Sequence, residues 1–308
     1  STAPVEAIII VGSRATGQGL TNNSDYDVSV VMELWKVPLY LSKLKKVERT
    51  LAGRLGIGIT ISPLPTYQMH NSAGNLYLLK MKREGITLYG KDWIEDLDPG
   101  EPRHLKTTWH FSYLFTAMKH MVERFQPGLT PSEYSDTEQE ALVRDVAKSV
   151  LYCGEIYSLL AGYYCPQAKE MIDKLSRIER IAEGQPQFLE DLRLSSDIRS
   201  GLKGQVEDIA AFWFRGRDYL LLCFRELMGK LMETKDEDLE ALIERYFAKR
   251  RGSSMKNLQY IALTFLGRRE LWWRSLLTQR TVEDRLRVAA LRLLSSVGED
   301  GAVAKDGL

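Results

Sequence analysis

Four residues near the start of the chain have the types and spacing for chemistry: Gly12, Ser13, Asp25 and Asp27. The run DYDVSVVM, rich in β-branched residues, predicts a strand over 25–32. Asp25 and Asp27 are two apart on it, so both carboxylates fall on one face. Without a cation, two aspartates placed in this way repel each other. With one they make an oxygen-donor pair for Mg²⁺ or Mn²⁺. Metal ions held beside a triphosphate can orient an attacking oxygen and stabilise departing pyrophosphate. Gly12 and Ser13 directly follow the apolar run VEAIIIV, which predicts a buried strand over 5–11. Glycine lets backbone N–H groups approach phosphate oxygens, and serine adds a hydroxyl donor. Arg14 comes next and is placed to meet a phosphate.

These residues need a scaffold, and the surrounding pattern supplies one. Residues 14–24 are rich in Gly, Asn, Ser and Thr and read as a loop. A helix is predicted over 38–52 and a third strand over 57–61, stopped by Pro63 and Pro65. Residues 75–82 read as helical or extended, and 84–94 as a short strand with a turn. The polar segment DLDPGEP, 96–102, then marks a change of pattern and the expected boundary between two domains, 1–97 and 98–308. Beyond it the apolar spacing turns helical. Helices are predicted near 105–125, 137–163, 166–183, 204–230, 236–250, 255–267, 269–278 and 281–296. Thr137 and Glu140 are read as a capping box, and Thr281 as a further cap.

The run Gly12-Ser13, an eleven-residue gap, then Asp25-Tyr26-Asp27 resembles the signature of the polymerase-beta-like nucleotidyltransferase superfamily. REGITLYGKDWI, 83–94, is similar to the strand and turn that close this domain in its small members. The resemblance covers about a third of the chain. It implies an α+β fold, a nucleotidyltransferase-type mixed sheet with flanking helices, followed here by an all-α domain. It also implies transfer of a nucleoside monophosphate from an NTP, ATP by default, to an acceptor hydroxyl. Gly12, Ser13 and Arg14 would then serve the phosphates, and Asp25 and Asp27 would bind Mg²⁺ or Mn²⁺ and carry the catalysis.

The family uses a third carboxylate on the neighbouring strand. Alternation with Thr60 puts that position at Gly58, and residues 50–74 contain no Asp or Glu. Thr60 and Ser62 offer only neutral hydroxyls. Three readings follow. Another acid, such as Glu84 or one from the helical domain, fills the place; one tightly held metal suffices; or the chain is a nucleotide-binding or structural subunit that no longer catalyses.

Composition bounds the rest. The 308 residues carry 42 Lys and Arg against 41 Asp and Glu, which argues against a histone-like nucleic-acid binder. No apolar run reaches the roughly 18 residues of a membrane span, and the opening residues show no secretion signal. Three widely spaced cysteines, Cys153, Cys165 and Cys223, read as reduced core thiols of a cytoplasmic protein. The four histidines, His70, His104, His110 and His120, read as packing or surface residues. Residues 245–292 hold twelve basic and three acidic side chains, a tract that could take RNA backbone. Its aromatics are sparse, so a small hydroxylated acceptor is preferred over RNA or tRNA. The Leu-rich helices at 204–230 and 286–294 suit either a core or oligomerisation.

Overall fold

The computed structural model describes residues 5–17, 25–124, 134–202, 206–233, a few positions between 238 and 245, and 282–297. Helices expected at 255–267 and 269–278, most of that at 236–250, the Thr281 cap and most of the basic tract lie outside the described residues. The described part opens with a four-stranded mixed sheet flanked by helices and continues into a largely helical region.

The strands are β1 (Ala7–Val11), β2 (Tyr26–Met32), β3 (Ile59–Pro65) and β4 (Ile86–Gly90). Their order is β3-β2-β1-β4. β1 runs antiparallel to β2 and β4, while β2 and β3 are parallel. A parallel pair needs a crossover, and helix α1 (Val37–Leu55) supplies it. Pro38 sits in its first turn, and Gly56, in the left-handed conformation at φ 66°, ends it. Short helices α2 (Thr66–His70) and α4 (Trp93–Asp96) bracket α3 (Leu76–Glu84). Asn75 starts α3 by accepting the N–H groups of Tyr77 and Leu78 at 2.9 and 3.2 Å.

Strand alternation sorts the sheet into two faces. Ala7, Ile9, Val11, Val31 and Leu64 join Leu78, Met81, Trp93 and Leu97 in one buried cluster on the α3 side. Val30, Met32 and Ile61 face the other way, toward Val37, Tyr40 and Leu44 of α1. β3 continues through Pro63 and Pro65 rather than stopping before them. It is an edge strand, where a missing N–H on the outer side is tolerated. Glu48 of α1 accepts the Ile61 N–H at 2.7 Å.

The chain forms two compact units. One takes residues 1–110 and 154–205; the other takes 111–153 and 206–308. The segment 96–102, read as a boundary, lies inside the first unit. Pro99 accepts the Gly74 N–H at 2.9 Å, and Ser72 Oγ accepts that of Asp98 at 3.0 Å. Residues 154–205 also fold with the sheet, although their composition groups them with the helical remainder.

Helix α5 spans Thr107–Glu123 and α6 spans Asp136–Leu160. The cap of α6 is Ser135 with Glu138, not Thr137 with Glu140: Glu138 accepts both the Ser135 N–H, at 3.0 Å, and its hydroxyl, at 2.6 Å. The single helix expected over 166–183 is two, α7 (Ala168–Leu175) and α8 (Glu179–Ala182). A further helix, α9 (Pro186–Arg199), starts where Pro186 can open a helix at no hydrogen-bond cost. Tyr157 of α6 meets Phe188 edge-on at 5.5 Å between ring centroids. In the second unit, α10 (Ile209–Met232) opens at Asp208 and α11 spans Val282–Ser296. A Cβ at Gly216 of α10 would stand 2.9 Å from Val146 Cγ1, so glycine permits a close approach to α6. Cys153, Cys165 and Cys223 are buried free thiols. No helix among the described residues is long and apolar enough to cross a membrane.

Candidate nucleotide site

Val11, the last residue of β1, pairs across the sheet with Asp27. The chain then turns at Gly12, whose φ of 81° disfavours any residue with a side chain. A Cβ there would stand 3.3 Å from Asp27 Oδ2. The backbone conformation therefore favours glycine, and the carboxylate next to it leaves a Cβ little room. Gly12 carbonyl oxygen accepts the N–H groups of Ala15 (2.9 Å) and Thr16 (3.2 Å), closing one helical turn. Thr16 Oγ1 donates to the Ser13 carbonyl at 3.2 Å. The N–H groups of Ser13 and Arg14 precede those bonds, as at the start of a helix. The Arg14 guanidinium lies over the Tyr26 ring, 4.9 Å from its centre, and so stands beside the strand that carries the aspartates.

Asp25 and Asp27 are exposed, at the end of the sheet where β1 stops and β2 begins. Their face of β2 changes character within six residues. Ser29 and Val31, next along it, are fully buried. The buried Ser29 hydroxyl is hydrogen-bonded to the Tyr77 phenol of α3. Burial raises the Tyr77 pKa; the Ser29 bond opposes the rise and the charge of Asp27 adds to it. Ser29 leaves a trace in the sequence, a hydroxyl between valines two positions after Asp27. Tyr77 leaves none, because its link is 48 residues away.

On the other side of β2, Asp27 pairs with Thr60 and Ser29 with Ser62. Tyr26 N–H donates to the Gly58 carbonyl at 2.9 Å, so Gly58 lies beside Asp25. A Cβ on residue 58 would overlap Asp25 Oδ1, with Asp25 Cγ only 2.7 Å away. Glu84 does not join the pair. It accepts a hydrogen bond from the Tyr164 phenol, and burial raises its pKa, with the Tyr164 bond and Lys80 opposing the rise. Burial likewise pushes the Tyr164 phenol upward, and the Glu84 carboxyl adds to it. Among the described residues, no group of three or more His, Cys, Asp or Glu is placed to hold a metal.

Lys80 forms an ion pair with Glu155 at 2.9 Å. Lys82 donates to the carbonyls of Ile94 and Glu95, both at 2.9 Å, and ties α3 to α4. Tyr89 is exposed on the edge strand β4. Two carboxylates on one sheet face, next to a glycine turn, fit a hard divalent cation that takes its other oxygen ligands from phosphate and water. Comparison with protein families, characterised proteins and solved structures gives no match.

Proposed function

We propose that the chain is a nucleotidyltransferase of the polymerase-beta-like superfamily. It would move a nucleoside monophosphate from an NTP, ATP by default, to an acceptor hydroxyl. The observation that supports this reading is the seat of Gly12: a Cβ there would stand 3.3 Å from Asp27 Oδ2, so the Gly12-Ser13 turn lies against the strand that carries the aspartates. Asp25 and Asp27 would hold Mg²⁺ or Mn²⁺, which when bound neutralises triphosphate charge and polarises the reacting phosphorus centre. The Gly12-Ser13 turn would present N–H and hydroxyl donors to the phosphates, and Arg14 would add charge from beside Tyr26. In the transfer the acceptor oxygen bonds to the α-phosphorus and the bond to the bridging oxygen breaks. Pyrophosphate leaves with that electron pair, and the hydroxyl proton passes to solvent. A small hydroxylated acceptor is favoured over RNA or tRNA.

A second reading, a nucleotide-binding subunit without turnover, draws on Gly58, which leaves β3 without a carboxylate beside the pair. One assay separates the two. The full chain is incubated with Mg²⁺ or Mn²⁺, each α-labelled NTP, and a pool of hydroxylated metabolites or RNA. The transferase reading expects labelled product and pyrophosphate, lost by about a hundredfold or more in Asp27→Asn. Nucleotide binding with no product from any pool would leave the second reading standing. Neither binding nor product would sink both.

A further inference from the structure

We infer that Gly58 is a positioning residue: its bare Cα lets the Asp25 carboxylate lie across from β2 onto β3, where a β3 side chain would otherwise stand. This rests on the nucleotidyltransferase reading and changes what Gly58 means within it. The position is not a vacancy left by a lost acid, because Asp25 occupies it. A Cβ on residue 58 would overlap Asp25 Oδ1 and stand 2.7 Å from Cγ and 3.3 Å from Cβ of the same side chain. The Tyr26 N–H to Gly58 carbonyl bond, at 2.9 Å, holds the two strands together at this point.

The backbone of residue 58 does not itself call for glycine. Gly12 has a φ of 81°, whereas Gly58 is not among the positive-φ glycines. What requires glycine at 58 is the neighbouring side chain. Each aspartate is thus seated against its own glycine, Asp27 on Gly12 at the end of β1 and Asp25 on Gly58 before β3. The two carboxylates lean toward different strands, which eases the repulsion between like charges on one face. They also present oxygen donors from both sides of β2. A third acid at 58 would add negative charge to space already held by Asp25 and push that carboxylate away.

Manganese binding to the full chain, read by electron paramagnetic resonance with and without a non-hydrolysable NTP analogue, tests this. Gly58→Ala is expected to weaken Mn²⁺ binding about tenfold by displacing Asp25. Its thermal midpoint should hold or rise slightly, because alanine suits an ordinary backbone and only the exposed Asp25 side chain must move. Gly58→Asp is expected to bind no additional ion and no more tightly than the wild type. In an Asp25→Ala background, Gly58→Ala should have no further effect on Mn²⁺, since its action passes through Asp25. That cycle reads the mechanism even if a single variant is less stable. Unchanged binding in Gly58→Ala, an added or tighter ion in Gly58→Asp, or full additivity in the cycle would overturn the inference and leave the transferase reading intact. A wild-type chain that binds neither Mn²⁺ nor the analogue would overturn both.

Discussion

The two faces of the sheet are built to different depths. On the α3 side, Leu78 and Met81 are fully buried against Ala7, Ile9 and Val31, and Trp93 and Leu97 complete the cluster. On the α1 side the buried cluster is Val30, Met32 and Ile61, and α1 has no buried residue along its 19 positions. Leu39 and Leu55 of that helix are 61% and 59% exposed. The aspartates belong to the face that is packed. Their strand face descends from exposed carboxylates to the buried Ser29–Tyr77 link and then to Val31, so the position of the pair is braced by the deep core rather than by a loop. α1 serves chiefly as the crossover that makes β3 parallel to β2 and thereby brings Gly58 beside Asp25.

Core truncation gives the largest expected contrast. Leu78→Ala should lower stability by about 2–5 kcal/mol in urea denaturation, the cost of lost burial plus a cavity. Leu55→Ala, at an exposed position of α1, should change it by less than about 0.5 kcal/mol. Equal losses would dissolve the distinction between the faces. Gly12→Ala comes next, at roughly 1–2 kcal/mol from the left-handed backbone alone. Because the new methyl would press on Asp27, the proposed metal-dependent transfer should be lost to a greater degree than this stability change accounts for. Tyr77→Phe deletes the partner of a buried serine hydroxyl and should cost on the order of 1–2 kcal/mol. A neutral result would show that packing, not the hydrogen bond, fixes α3 against β2.

The smallest effects should distinguish the faces by the sign of their pH response. Glu48, on the α1 side, has its pKa lowered by the Lys45 hydrogen bond and then by the Ile61 N–H. A depressed carboxyl contributes stability above its unfolded value of about 4.5, lost as pH falls through the folded value. Glu84, at the end of α3, has its pKa raised by burial. Its folded state favours the proton, so its contribution is fully present below about pH 4.5 and is lost as pH rises through the raised value. Thermal melts across this range should show Glu48→Gln erasing a loss on acidification and Glu84→Gln erasing a loss on alkalinisation. Shifts of the same sign in both variants would contradict this assignment.

Much of the sheet was legible because strands announce themselves locally. VEAIIIV and DYDVSVVM carry β-branched runs, and each became a strand within two residues of its expected bounds. The helix expected at 38–52 was legible too, and it runs three residues further, to Leu55 before Gly56. β3 was read too short, since a proline's effect depends on whether its strand lies at an edge, which local sequence does not disclose. The break between α7 and α8 and the presence of α9 were missed, because these short helices are defined by packing on one another rather than by a long apolar period. Composition places a boundary at 96–102; the Gly74 N–H to Pro99 carbonyl bond and the Asp98 N–H to Ser72 hydroxyl bond tie that segment to residues 72–74.

For the candidate site, the sequence by itself determined which donors exist: two aspartates with period-two spacing, a glycine and serine after a strand, and no acid from 50 to 74. Residue type and strand periodicity are local properties, so they survive without a fold. Tertiary structure alone decided where those donors stand. Antiparallel pairing of β1 with β2 set Gly12 against Asp27, and parallel pairing of β2 with β3 set Gly58 under Asp25. Glu84 was drawn to Tyr164 instead of to the pair. These outcomes depend on register and on contacts between distant segments, which only the folded chain brings within reach of one another.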